Sequence, residues 1–174
     1  MNRTVIAVAA IALAALPLAS AAQSTPSAMH ESMGTTNSMS EMAMPKSSMK
    51  HDSMMLGALP ASLQGKPVVV RIHADWCPAC KATRATYEGV QKLYADKATF
   101  VTFDVTDAKT AAAAAAHAQK LGLSKLFEAD KTATSTVAVI NPKTGVVSAS
   151  LYNDNTPGDY AKAIDAVHSQ LQHG

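Results

Sequence analysis

The spacing of apolar positions divides the chain into three parts. From Val5 to Leu16 runs an almost unbroken apolar segment of about a dozen residues. From Gln23 to Met55 branched aliphatic and aromatic side chains are nearly absent, so no helix face or strand face there has anything to bury, and the segment is expected to be disordered when alone. Beyond it, strand and helix periods alternate. After Leu63-Gln64-Gly65-Lys66-Pro67, the β-branched run Val68-Val69-Val70-Arg71-Ile72-His73 reads as a buried strand. From Pro78 to about Tyr94 a helix is predicted, with Cys80, Thr83, Tyr87, Val90 and Tyr94 on its buried face. Thr99 to Val105 reads as a second strand. Ala108 to Leu121, with six consecutive alanines, reads as a helix that Thr106 or Asp107 can cap and Gly122 can end. Thr136 to Ile140 and Val146 to Tyr152 flank the turn sequence Asn141-Pro142-Lys143-Thr144-Gly145, which predicts a hairpin. Thr156-Pro157 opens a last helix with Tyr160, Ile164, Val167 and Leu171 on one side. The element order is β-α-β-α-β-β-α, an α/β class.

Composition changes this picture in two places. The 48% apolar content is inflated by the first segment and by alanine, and aromatics make up only 5%. Arg3, the apolar run and the small-residue site Ala19-Ser20-Ala21 together read as a secretory signal peptide, cleaved near Ala21 or Ala22. The run is shorter than the ~20 residues of a membrane span, so no stable membrane anchor is expected. No cysteine stands at the cleavage site, which excludes lipid attachment there. The expected organisation is a signal peptide over 1–22, an arm over 23–56 and one small domain over 57–174, in the periplasm, where disulfides persist. Without Arg3 the 15 lysines and arginines fall to 14 against 13 acids, so nothing in the charge calls for a nucleic-acid partner.

The arm holds every methionine except the initiator: Met29, Met33, Met39, Met42, Met44, Met49, Met54 and Met55. It also contains a near-repeat, Met29-His30-Glu31-Ser32-Met33 against His51-Asp52-Ser53-Met54-Met55, with His-x-x-Met spacing in both copies. Thioether and imidazole ligands suit Cu(I), and a flexible arm can gather several around one ion. The spacing resembles the Met/His motifs of periplasmic copper- and silver-binding proteins. A solvated tether and a sacrificial oxidant trap are the alternatives.

The only two cysteines lie in Trp76-Cys77-Pro78-Ala79-Cys80. With Pro78 opening the helix, Cys77 sits at a helix N-terminus, where unpaired N–H groups and the dipole favour a thiolate. Cys80 lies one turn on, within reach to form a disulfide or resolve a mixed one, and its sulfur is expected to be the more buried. A structural disulfide and half of a metal site are the competing readings. A bridge closing so short a loop stabilises a fold little, and a four-ligand zinc site needs a second pair that the chain lacks.

The strand-turn-helix setting of Ala74-Asp75-Trp76-Cys77-Pro78-Ala79-Cys80-Lys81 resembles thioredoxin-family active sites, above all the C-terminal domain of the membrane thiol-disulfide interchange reductases. The likeness runs from Leu59 to about Gln170. It implies a thioredoxin fold, a central mixed β-sheet flanked by helices, and dithiol–disulfide exchange in which Cys77 attacks and Cys80 resolves. No organic cofactor is required, Cu(I) is a possible ligand, and the implied partners are protein thiols or disulfides and a redox partner protein. Trp76 is expected to shield the disulfide and line the partner's path. Three positions depart from the family. Ser135 stands where a cis-proline normally shapes the substrate groove and keeps metals off the cysteines. A non-proline peptide there is expected to be either trans or strained. Arg71 stands where a buried acid normally takes the resolving thiol's proton. It can point toward Cys80, favouring thiolates and a more oxidising disulfide, or pair with an acid such as Asp104. The link Ser124 to Ala133 is longer than usual, with Leu126-Phe127 able to form an extra turn over the site. His73 reads as a core or edge residue, or else as a neighbour of the thiolate or a third metal ligand. His117 lies on the polyalanine helix, and His168 and His173, near the C-terminus, are expected to be solvated. The rival to an oxidoreductase is a Cu(I) carrier that uses the arm and the cysteine pair.

Overall fold

The structure is a computed structural model that describes residues 54–173. Four strands form one mixed sheet in the order β2-β1-β3-β4, with β1 spanning Val68–His73, β2 Thr99–Asp104, β3 Thr136–Asn141 and β4 Val146–Tyr152. β1 runs parallel to β2, with Val68 opposite Thr99, and antiparallel to β3, with Val69 opposite Val139. The Asn141–Gly145 turn closes the β3–β4 hairpin as its sequence requires, and the Gly145 amide donates to the Asn141 carbonyl at 2.7 Å.

The unbroken β-branched run of β1 and the fully buried β3 have the same cause: both are covered on both faces. On one face Val68, Val70, Ile72, Phe103, Ala138 and Ile140 pack under α3 (Ala108–Lys120) and α4 (Ser124–Asp130). On the other, Val69, Val137 and Val139 meet Tyr87 and Val90 of α2 (Arg84–Leu93) and Tyr160, Ile164 and Val167 of α5 (Pro157–His173). Alanine at 114 and 118 lets α3 approach the sheet closely. A capping box starts that helix: the Asp107 side chain accepts from the Thr110 amide at 2.7 Å, while the Thr110 hydroxyl accepts from the Asp107 amide at 3.0 Å. Gly122, at φ +69°, ends it.

Three expectations change. The helix from Pro78 to Tyr94 is two, α1 (Pro78–Ala82) and α2, divided at Thr83 (φ −86°, ψ −4°). There the Cys80 carbonyl receives the Arg71 guanidinium at 3.0 Å, and the Thr83 hydroxyl bonds back to the Ala79 carbonyl at 2.9 Å. A side-chain donor inserted into the helix ladder breaks it at this step. The long link after α3 does contain an extra helix, α4, but Leu126 and Phe127 turn into the core under the sheet rather than over the cysteines, and Phe127 meets Phe103 edge to face at 5.4 Å between ring centroids. Finally, the chain joins the sheet before Gly57. Leu56 donates to the Gly145 carbonyl at 2.9 Å, Met55 bridges Val146 on the outer edge of β4, and Met54 and Leu56 pack against the core. Met54 and Met55 therefore belong to the domain and not to the arm, because the hairpin turn offers them backbone partners. Met29, His30, Met33, Met39, Met42, Met44, Met49 and His51 lie outside the described residues.

Candidate active site

β1 ends at His73, the chain turns through Ala74–Trp76, and α1 begins at Pro78, so the sheet delivers Cys77 to a helix N-terminus. Cys77 is the N-cap residue, and its sulfur accepts from the Cys80 amide at 3.1 Å. Pro78 occupies the first helical turn, where its missing N–H costs nothing. Both thiols are free and buried, Cys77 3% exposed and Cys80 not at all, the ranking expected from their order on the helix.

The surroundings push the two thiols apart. Burial raises the Cys77 pKa, but hydrogen bonds from the Cys80 thiol, the Thr134 side chain and the amides of Cys80 and Ala79 outweigh it, and the pKa falls below the ordinary 9.0. Burial raises the Cys80 pKa. The thiol's hydrogen bond to Cys77 adds to that rise, while the Ala74 backbone and the Arg71 charge pull the other way without reversing it. The two sulfurs therefore stand side by side with opposed shifts, the Cys80 thiol donating toward the Cys77 sulfur.

Arg71, buried in the middle of β1, points under the cysteine helix. Its guanidinium donates to the Cys80 carbonyl and lies over the Tyr87 ring, 4.5 Å from the centroid. It does not take Asp104, whose carboxylate receives the Thr106 amide at 2.8 Å and the Thr106 hydroxyl at 2.5 Å. Ser135 is trans, with no cis peptide among the described residues, and its backbone lies in the left-handed region at φ +71°. The Ser135 amide donates to the Ile72 carbonyl at 2.9 Å, and its hydroxyl meets that of Thr83 at 3.2 Å. Trp76 is 59% exposed, yet its indole N–H is fixed on the Thr106 carbonyl at 2.9 Å. It forms one wall of a cleft of about 550 Å³, opposite Phe127 and Lys131 and over the alanines of α3.

His73 meets Asp75, Nε2 to Oδ1 at 3.1 Å, and no group of three His, Cys, Asp or Glu able to hold a metal occurs among the described residues, so the third-ligand reading of His73 finds no support. His117 is exposed on α3 with an edge against Phe103. Sequence reasoning missed Thr134 and the link from Thr83 to Ser135. The helical spacing had placed Thr83 on a buried face, and a hydroxyl there was the available signal.

A family model described as thioredoxin matches residues 59–147, half of the chain. The chain belongs to the thioredoxin family. It is a thiol-disulfide oxidoreductase of that family, whose members act on protein thiols and disulfides and need no cofactor. Solved structures similar to it include a thiol:disulfide interchange protein from Chlorobium tepidum, 23% identical, covering 62% of this chain and 83% of that one at a TM-score of 0.44. A DsbF homologue from Corynebacterium diphtheriae is 20% identical over 61% of this chain and 74% of that one, at a TM-score of 0.43. A secreted disulfide oxidoreductase of Mycobacterium tuberculosis, homologous to E. coli DsbE, is 18% identical over 61% and 85%, at 0.40. No curated protein sequence matches the chain. Among the described residues of this thioredoxin-family protein, no helix is long and apolar enough to cross a membrane.

Proposed function

We propose that this protein is a secreted, periplasmic oxidoreductase in which Cys77 attacks and Cys80 resolves. The observation that carries the assignment is the opposed environment of the two sulfurs: Cys77 accepts hydrogen bonds and has a lowered pKa, and Cys80 is fully buried with a raised one. The Cys77 thiolate attacks one sulfur of a substrate disulfide, the S–S bond breaks, and the departing thiolate takes a proton. Cys80 then loses its proton, attacks the Cys77 sulfur and releases the second substrate thiol, so that two electrons pass to the substrate and the pair becomes a disulfide. An oxidase runs the same steps in reverse. The test is trapping: Cys80→Ser is expected to accumulate a mixed disulfide with a substrate protein, and Cys77→Ser to form none. Accumulation on Cys80 in the second variant would reverse the assignment.

The direction we favour is oxidation. Arg71 places a positive charge beneath the resolving thiol where relatives keep an acid, which stabilises the reduced pair. A potential nearer −120 mV than about −270 mV is expected, those being the values of a dedicated oxidant and of thioredoxin.

A second reading adds copper. It is supported by the Met/His arm over 23–53 and by Ser135 in the place of the proline that keeps metals off the pair. Deleting 23–53 should remove most Cu(I) binding, and unchanged binding would reduce the arm to a tether. If Cys77→Ser/Cys80→Ser leaves copper stoichiometry intact while disulfide reduction stops, the carrier role loses the cysteines.

A further inference from the structure

Ser135 holds an unfavourable backbone. A side chain at φ +71° is strained, and such strain persists where surrounding bonds over-determine it. Here they do: the amide is held by Ile72, the carbonyl by the Asn153 amide at 3.2 Å, and the buried hydroxyl by Thr83. Because the single Thr83 hydroxyl proton goes to the Ala79 carbonyl at 2.9 Å, Ser135 is the donor in the 3.2 Å contact. A chain of hydroxyls thus runs from the Thr134–Ser135 loop to Ala79, which with Pro78 separates the two cysteines, and the neighbour of Ser135 on that loop is the threonine bonded to Cys77.

We infer that the Thr83–Ser135 hydroxyl pair is a latch that fixes the loop against the cysteine helix and thereby holds the Thr134 side chain on the Cys77 sulfur. Thr83 and Ser135 are positioning residues in this scheme, and Thr134 is the group that touches the nucleophile. In this chain two hydroxyls and a left-handed backbone hold the loop where relatives use a proline ring. The inference rests on Cys77 being the attacking thiol.

The test uses the reduced full-length protein, alkylated with iodoacetamide across a pH series, with the modified sulfur mapped by mass spectrometry. Thr83→Val, which keeps the shape and removes the hydroxyl, is expected to move the Cys77 midpoint upward. Below that midpoint it should slow alkylation about tenfold, the scale of one hydrogen bond to a charged group. Ser135→Gly should do the same, and because glycine relieves the left-handed strain it should fold even if Thr83→Val does not. The double variant should be no slower than either single one, since both remove the same contact, and Thr83→Ser should react as the wild type does. Wild-type rates in Ser135→Gly and Thr83→Val, additive losses in the double variant, or a Thr83→Ser as slow as Thr83→Val would each overturn the latch. These outcomes leave the attacking-thiol assignment standing. Alkylation of the wild type at Cys80 in place of Cys77 would overturn that assignment and the latch with it.

Discussion

At the scale of single residues, polar contacts decide the chemistry and a few backbone positions limit what can replace them. Ser135→Pro illustrates the limit. Proline fixes φ near −65° and has no N–H, whereas Ser135 sits at +71° and donates to Ile72. Installing a proline there is therefore expected to destabilise the domain by about 2 kcal/mol or more, read by denaturant unfolding. An unchanged midpoint would mean that the loop rearranges freely. Tyr160 offers a second check. Burial, with the nearby Asp154 charge adding to it, raises its pKa to about 12, and its hydroxyl donates to the Asp154 carbonyl at 2.8 Å. An unfolded tyrosine ionises near 10, so above that pH the unfolded chain holds fewer protons than the folded one, and stability falls as pH rises from about 10 through 12. Tyr160→Phe should be less stable at neutral pH, through the lost hydrogen bond, but should show a shallower alkaline decline in melting temperature. The Trp-Cys-x-x-Cys signature and its helix-start proline were legible because motif and capping rules are local. Thr134 and the Thr83–Ser135 contact were not, since both arise only in the tertiary fold, the latter joining positions 52 residues apart.

At the scale of elements, apolar periodicity located every strand and the long helices to within a residue or two. The miss was the division of one helix at Thr83. Helical spacing gives no sign of it, because the cause is Arg71 reaching from another strand to the Cys80 carbonyl. The capping box on α3 was half-read from Asp107, and it makes a prediction. The amide hydrogen bond from Thr110 holds the Asp107 carboxyl below its usual 3.8, so the cap stabilises the helix above that pH and is lost as pH falls through the depressed value. Asp107→Ala should lower the melting temperature at neutral pH, with the gap from wild type closing in acid. The hairpin turn carries another. A Cβ at Gly145 would lie 1.9 Å from the Gly57 carbonyl, and φ there is +71°. Gly145→Ala should therefore cost more than the ~1 kcal/mol of an ordinary left-handed glycine replacement and should loosen the Met54–Gly57 entry segment. Hydrogen exchange at Leu56 and Val147 reads that directly.

At the scale of the whole molecule, the domain begins at least three residues earlier than composition suggested. Composition reports what a segment can bury by itself, and Met54 and Leu56 bury against a partner that the sequence window does not contain. A chain trimmed to start at Met54 is expected to melt close to the full-length protein, whereas one starting at Gly57 should melt several degrees lower. Equal melting would return Met54–Leu56 to the arm. The mixed sheet explains why the cysteine pair tolerates such edits: β1, which delivers Cys77, lies between β2 and β3, and β3 separates it from β4, the edge strand where the chain enters.

Arg71 has a consequence for the conditions under which the pair works. A buried carboxylic acid gains and loses its proton within the range of ordinary surroundings, so its influence on nearby sulfur varies with acidity. A guanidinium keeps its charge throughout that range. The positive charge beneath Cys80 is thus a constant of the fold, set under two thiols whose own protons come and go.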